Sequence, residues 1–142
     1  KTVERDDVLA IALDVIGQLP DQEKRIRLEG FTVVTGSGMT PTASVKLLID
    51  GTERIGTGVG DGPIDALSKA VWSLIDPSVK LLEYNLKAIT GGTDALADVS
   101  IKLQDAGGRI FSGRAVNEDV IKAGVQAIIS GLNRAMNASG GK

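Results

Sequence analysis

Apolar and polar positions along this chain follow two different periods, and the order in which those periods alternate predicts its elements. Ala43, Val45, Leu47 and Ile49 recur at every second residue, with Lys46 and Asp50 on the opposite side. That pattern predicts a half-buried antiparallel strand over 43–50. Asp50-Gly51 is a hairpin signal leading into a strand over 53–59. Upstream, residues 26–35 are rich in β-branched side chains, and their apolar parity changes from Ile26 and Leu28 to Phe31 and Val33 around Gly30. A strand with a bulge is expected there, followed by a loop over 36–42. Gly60-Asp-Gly-Pro63 stops the strand and starts a helix, with Pro63 suited to the first helical position. Ile64, Leu67, Val71 and Leu74 form the buried stripe of that helix up to Ile75, and Asp76-Pro77 ends it. A short earlier helix over 6–17 is predicted from Val8, Ile11, Ala12, Val15 and Ile16, with Asp6 and Asp7 at its start and Gly17 and Pro20 at its end. Residues 21–25 are a polar connector.

The second half repeats the first after about 55 positions. Val33-Val-Thr-Gly36 matches Ala88-Ile-Thr-Gly91, and Arg54-Ile-Gly-Thr-Gly58 matches Arg109-Ile-Phe-Ser-Gly113. Strands are expected over 82–90, through Val99, Ile101 and Leu103, and over 109–116, with a loop over 91–94 and a turn at Ala106-Gly107-Gly108. Asn117 is the expected N-cap of a last helix carrying Ile121, Val125, Ile128 and Leu132, with Glu118 and Asp119 in its first turn. Residues 137–142 are expected as a frayed tail. The fold class is therefore α+β: a short N-terminal helix, then two pseudo-repeated βββα units with antiparallel sheets covered by helices. The expected domain organisation is an N-terminal helix and connector over 1–25, and one domain over 26–142. That domain consists of units 26–78 and 79–137 and the tail. Such a unit cannot bury its apolar face alone, so the copies should pair, and the seam between them is a natural ligand site.

Composition narrows the chemistry. The 142 residues suit one domain, with 42% hydrophobic and 24% charged side chains. Phe31, Trp72, Tyr84 and Phe111 are the whole aromatic set, so the core must be aliphatic. The formal net charge of −2 disfavours nucleic acid or an anionic membrane as the main partner. The chain has no cysteine and no histidine. Disulfides, thiolate metal sites and Cys nucleophiles are excluded, and the commonest general base is missing. No apolar run reaches transmembrane length and no signal peptide is visible. A cytoplasmic location is expected. The first residue is Lys1, which suits an excised piece of a longer chain, and equally a matured or engineered start.

Few residues offer reactive chemistry. Asp61 and Asp65 lie four apart at a helix start, where carboxylates more often cap than catalyse. Gly58-Val-Gly-Asp-Gly62 loosely resembles a phosphate loop but lacks both the GxGxxG spacing and the P-loop lysine. For the glycines taken alone, a tight strand-to-helix turn is much the better explanation. The turn nevertheless presents the unpaired N–H groups of a helix N-terminus, which suit a carboxylate, while Asp61 suits an ammonium group. An α-amino acid carries both. Tyr84 reads either as an amphipathic strand residue or as a pocket wall. Ala88, Ala95 and Ala97 would leave room for a branched side chain or simply fill core. Trp72 reads as a packing or interface residue rather than a ligand contact.

Three groups of residues resemble the C-terminal regulatory (allosteric, dimerisation) domain of the 2-isopropylmalate synthase and citramalate synthase family. They are Thr57-Gly-Val-Gly-Asp-Gly-Pro-Ile-Asp-Ala66, Leu82-Glu-Tyr84 with Gly92-Thr-Asp-Ala95, and Gly113-Arg-Ala-Val-Asn-Glu-Asp-Val-Ile-Lys-Ala123 with Leu132-Asn-Arg134. The likeness runs from about Thr2 to Met136. It implies a homodimerising domain of two βββα units that binds leucine or isoleucine between them as a feedback inhibitor. The parent enzyme would be an acyltransferase condensing acetyl-CoA with a 2-oxo acid on a divalent-metal TIM barrel absent from this sequence. The fragment itself would hold no cofactor or metal and would be catalytically inactive. By matching position, the effector site would comprise Gly60, Asp61, Gly62, Pro63 and Asp65 from the first turn. Tyr84, Ala88, Ala95 and Ala97 would come from the second unit's strands, and Val116 or Val120 from its last turn. Asp61 stands where many members carry Asn, and Arg114 and Val116 depart from the commoner Gly-Val-Ser-type run.

Two other readings compete. Helix–βββ–helix is also the order of double-stranded RNA-binding domains, but those need a basic start to the second helix, and here it is Asp61-Gly-Pro-Ile-Asp65. The other is a purely structural dimerisation module without an effector. The resemblance favours leucine, because isopropylmalate synthases are the commoner bearers of the domain.

Overall fold

The computed structural model describes residues 24–91 and 94–140. The helix expected over 6–17 and most of the connector lie outside the described residues. The elements run β1 (Ile26–Gly36), β2 (Met39–Ile49), β3 (Thr52–Val59), α1 (Pro63–Ile75), β4 (Lys80–Gly91), β5 (Asp94–Gln104), β6 (Ile110–Asn117) and α2 (Val120–Gly140). They form two separate antiparallel sheets, ordered β1-β2-β3 and β4-β5-β6. This is the α+β arrangement of paired βββα units. α1 lies across β3 and β2, and α2 lies across β6 and β5. The units meet through α1 against α2 and through β1 against α2. Neither helix is long and apolar enough to cross a membrane.

Strand alternation places one row of each sheet in the core. Val45, Leu47, Val99, Ile101 and Leu103 are buried with Leu67, Val71, Val125, Ile128 and Leu132 from the helices. Trp72 joins them, so it packs in the interior. The expected bulge near Gly30 is present as a register shift between Leu28 and Gly30, and a matching shift falls between Leu81 and Glu83 in the second unit.

The repeat also has a packing signature. Gly58 and Gly113 occupy equivalent places on the third strand, on the face under the helix. A Cβ on Gly58 would run into the backbone of Ala66 and Ala70, and one on Gly113 into that of Ala127 and Gly131. The absence of side chains at these two positions lets each helix lie directly on its outer strand. The glycines before α1 are therefore explained in part by helix packing. Gly56 belongs to the same set, since its Cβ would meet the Ala70 carbonyl and Leu74.

Several boundaries differ from the sequence expectation. The loop expected over 36–42 is a tight hairpin: Gly36 pairs with Met39, and Gly38 takes φ 74°. β2 runs through Pro41 because the ladder is irregular between Val34 and Gly36, and the Pro41 carbonyl is used by the Gly60 N–H at 3.1 Å. Asp50 and Gly51 both have positive φ, 50° and 84°, as a two-residue type I′ turn requires. Asn117 is not the N-cap of the last helix. It ends β6 opposite Ala97, and its side chain accepts the Asp119 N–H. The Asp119 carboxylate receives the N–H groups of Ile121 and Lys122 at 2.9 and 3.2 Å, which makes Asp119 the cap. α2 continues to Gly140, through most of the stretch expected as a frayed tail.

Candidate effector site between the two units

The turn before α1 is built to leave backbone donors open. Gly62 occupies the N-cap with extended φ −152° and ψ 175°, and no side chain caps the helix there. Pro63 removes one N–H, and the first helical bond is Ala66 N–H to the Gly62 carbonyl at 2.9 Å. The N–H groups ahead of Ala66 lack intrahelical partners by the geometry of any helix start. A Cβ on Gly62 would meet nothing within 4 Å, so the space in front of the helix is open. Gly60 is different: its Cβ would press on the Ala66 nitrogen and the Asp65 carboxylate. Gly60 is thus required by the turn, while Gly62 is not.

Asp65 faces inward to this turn. Its Oδ2 accepts the Asp61 N–H at 2.9 Å and the Lys69 ammonium at 3.2 Å. The Asp61 N–H holds its carboxyl below the ordinary carboxylate value; burial opposes this, and Lys69 adds to the lowering. Asp65 therefore closes the turn. Asp61 points its side chain to solvent and is the acidic group left at the mouth.

Across the seam stands Tyr84. It shares the helix-side face of the second sheet with Ala88, Ala95 and Ala97. The register sets Tyr84 opposite Ile101, Ala88 opposite Ala97, and Thr90 opposite Ala95. The tyrosine hydroxyl reaches Gly124 on α2, where an added Cβ would lie 2.9 Å from it and 2.7 Å from Cδ1 of Ile64. Ile64 is the second residue of α1. The first turn of α1, the Tyr84 ring and the start of α2 thus meet at Gly124. Among the described residues the Tyr84 hydroxyl has no hydrogen bond, and burial raises its pKa above the usual phenol value. Gly124 and Ile64 are the site residues missed from the sequence. The small-residue run at Ala123 and Gly124 was the available signal, since such a run allows another element to approach closely.

The other expected residues divide. Ala97 is buried, whereas Ala88 on β4 and Ala95 on β5 are exposed. Val120, in the first turn of α2, is 43% exposed, and Leu86, between Tyr84 and Ala88 on the same face, is 51% exposed. Val116 is not with them. It pairs with Asp98, which puts it on the opposite face of the sheet. It lines a separate groove of about 450 Å³ between the start of β1, the end of β6 and α2, with Arg27, Arg114, Gln126 and Asn133. A second hollow of about 580 Å³ lies on the outer face of the first sheet, beside Val34, Thr57 and Val59. Neither hollow is lined by residues 60–65. The seam at Gly124 is defined by converging groups rather than by a deep cavity.

Comparison with known proteins fits this architecture. The model of the LeuA allosteric (dimerisation) domain matches residues 2–136. The chain belongs to this family. Among relatives of the LeuA-type domain, a probable 2-isopropylmalate synthase of Methanopyrus kandleri is 44% identical over 128 residues, covering 88% of this chain and 26% of the relative. The 2-isopropylmalate synthase of Methanocaldococcus jannaschii is 42% identical over 134 residues, covering 94% and 26%. A putative (R)-citramalate synthase CimA of Methanothermobacter thermautotrophicus is 46% identical over 136 residues, covering 94% and 27%. The LeuA-type domain described here thus spans about a quarter of the length of these relatives.

Proposed function

We propose that this chain is the effector-sensing and dimerising module of an enzyme like 2-isopropylmalate synthase. In this reading it binds leucine as a feedback inhibitor at the seam. The observation that carries the reading is the meeting of an uncapped helix start at Gly62-Pro63 with Tyr84 and Gly124 of the second unit. The open N–H groups of α1 take the amino acid's carboxylate. Asp61 stands where an ammonium group would lie. Tyr84, Leu86, Ala88 and Val120 offer an apolar wall for a branched side chain. Inhibition then works by population shift. The ligand stabilises one arrangement of the two units, and a homodimer passes that bias to catalytic barrels elsewhere in the parent chain. Those barrels would carry out the acetyl-CoA condensation with a divalent metal, and this domain would contribute no catalytic group. Cytoplasmic location follows from the biosynthetic role.

A second reading is the same module in a citramalate synthase, sensing isoleucine. It is favoured by the putative citramalate synthases among the relatives, at 46% and 47% identity. The two effectors differ only in where the side chain branches, so competition calorimetry with both distinguishes the readings.

The test of the site is Gly62→Asn in the full parent chain. The new amide oxygen caps α1 and occupies the donors. Inhibition by leucine and isoleucine should disappear while dimerisation, read by sedimentation, is retained. Undiminished inhibition would remove the turn from the site; no inhibition of the unaltered parent chain by either amino acid would leave a purely structural dimerisation module.

A further inference from the structure

The buried Asn133 makes a contact that site chemistry does not require. It lies on α2 at 4% exposure. Its Oδ1 accepts the N–H groups of both Arg25 and Ile26 at 2.9 Å, and its Nδ2 donates to the Ile26 carbonyl at 2.9 Å. One side chain of the second unit therefore holds the first residues of the first unit. Arg25 is secured further by two bonds to the Asp50 carboxylate at 2.9 Å and by the Asp50 N–H on its carbonyl at 2.8 Å. The guanidinium also approaches the Met136 carbonyl on α2 at 3.5 Å. Ile26 begins β1 and Arg25 immediately precedes it, at the point where the upstream chain enters the first sheet.

α2 thus touches two places that matter. Near its start, Gly124 abuts Tyr84 and Ile64 at the seam. Nine residues on, roughly 14 Å along a helix axis, Asn133 grips the beginning of β1. A helix is stiff over that length, so a shift of its first turns is carried to Asn133. Ordinary packing would yield gradually to such a shift. Three hydrogen bonds in a buried setting resist it, because leaving any one unmade strands a buried polar group.

We propose that Asn133 is the positioning residue that couples the seam to the upstream chain: α2 reads the ligand at its first turns, and the Asn133 clamp conveys the change to Arg25 and Ile26. The proposal deepens the effector reading above and rests on it. It makes the clamp a part of regulation rather than of affinity.

The experiment uses the full parent chain, with leucine and isoleucine as probes. Binding is read by calorimetry and inhibition by activity at saturating ligand. In the unaltered protein, ligand should change hydrogen exchange at the Arg25 and Ile26 amides. In Asn133→Ala, affinity should stay within about threefold, while the inhibition factor, on the order of 5- to 150-fold for an allosteric coupling, should fall below about twofold. Asp50→Asn loosens Arg25 without touching Asn133 and should keep its inhibition. Full inhibition in Asn133→Ala overturns the proposal. Equal loss in Asp50→Asn also overturns it, because general loosening would then suffice. Should Asn133→Ala fail to fold, unchanged exchange at Arg25 and Ile26 in the unaltered protein overturns it alone. Absence of any ligand binding in the unaltered protein sinks the effector reading and this proposal together. Binding and inhibition that survive every variant sink this proposal alone.

Discussion

At Gly113 a single methyl group would be driven into the Ala127 carbonyl and the Gly131 nitrogen. Both obstacles are helix backbone, which cannot swing aside. Gly113→Ala should therefore destabilise the domain by about 1–3 kcal/mol, as overpacking does elsewhere, measured as a lower midpoint in denaturant melts. Gly62 gives the opposite forecast. Its Cβ would enter open space, and Asn is a better N-cap than Gly, so Gly62→Asn should change stability by no more than a few tenths of a kcal/mol. Its effect belongs to ligand binding. Asp65 adds a dependence on pH. Its carboxyl titrates below the usual 3.8 in the folded chain, chiefly through the Asp61 N–H. The stabilisation is full above that unfolded value and is lost as pH falls through the lowered one. Thermal melts of the unaltered chain and Asp65→Asn should converge below about pH 4. The difference at neutral pH should be small, because the side chain is 41% exposed. A gap that widens in acid would show that Asp65 is not held as described. At this scale the sequence revealed that glycines mattered without revealing why each did. Gly58, Gly60 and Gly62 look alike in a row, yet the first makes room for a helix, the second for a turn, and the third leaves space unfilled.

The elements themselves were largely legible. Strict alternation in β2 and β5 marked their buried faces, and Pro63 marked the start of α1 where it is observed. Errors fell at ends, where local composition misleads. Pro41 and its Thr neighbours read as loop, but pairing across the hairpin carries β2 back to Met39. Asn117, Glu118 and Asp119 are all acceptable near a helix start. The choice among them is made by β6, which keeps Asn117 in the ladder and leaves Asp119 to cap. Asp119→Ala should therefore cost about 1 kcal/mol of stability. Asn117→Ala should cost less, since it loses only the bond to the Asp119 N–H. Parallel denaturation curves check the order, and a reversed order would return the cap to Asn117.

The whole molecule is where sequence reading reached furthest and also stopped. The repeat implied a seam, and the family resemblance named Tyr84, Ala88 and Ala97, which the strand register puts on one face. Parity also puts Val116, paired with Asp98, on the other face, a consequence visible only once the register is fixed. The convergence of Ile64, Tyr84 and Gly124 joins three elements of two units, and the grip of Asn133 on Ile26 joins two more distant ones. No local pattern encodes such contacts, because they depend on how one helix is set against the other unit. The proposed function turns on this seam binding a branched-chain amino acid through the α1 N-terminus. Calorimetry of the unaltered domain and of Gly62→Asn, each titrated with leucine and isoleucine, tests it most directly. Saturable heat is expected with one of the two ligands, lost in Gly62→Asn while its melting temperature is kept. No heat and no thermal shift with either ligand at millimolar concentration, or equal binding by the two proteins, would contradict it.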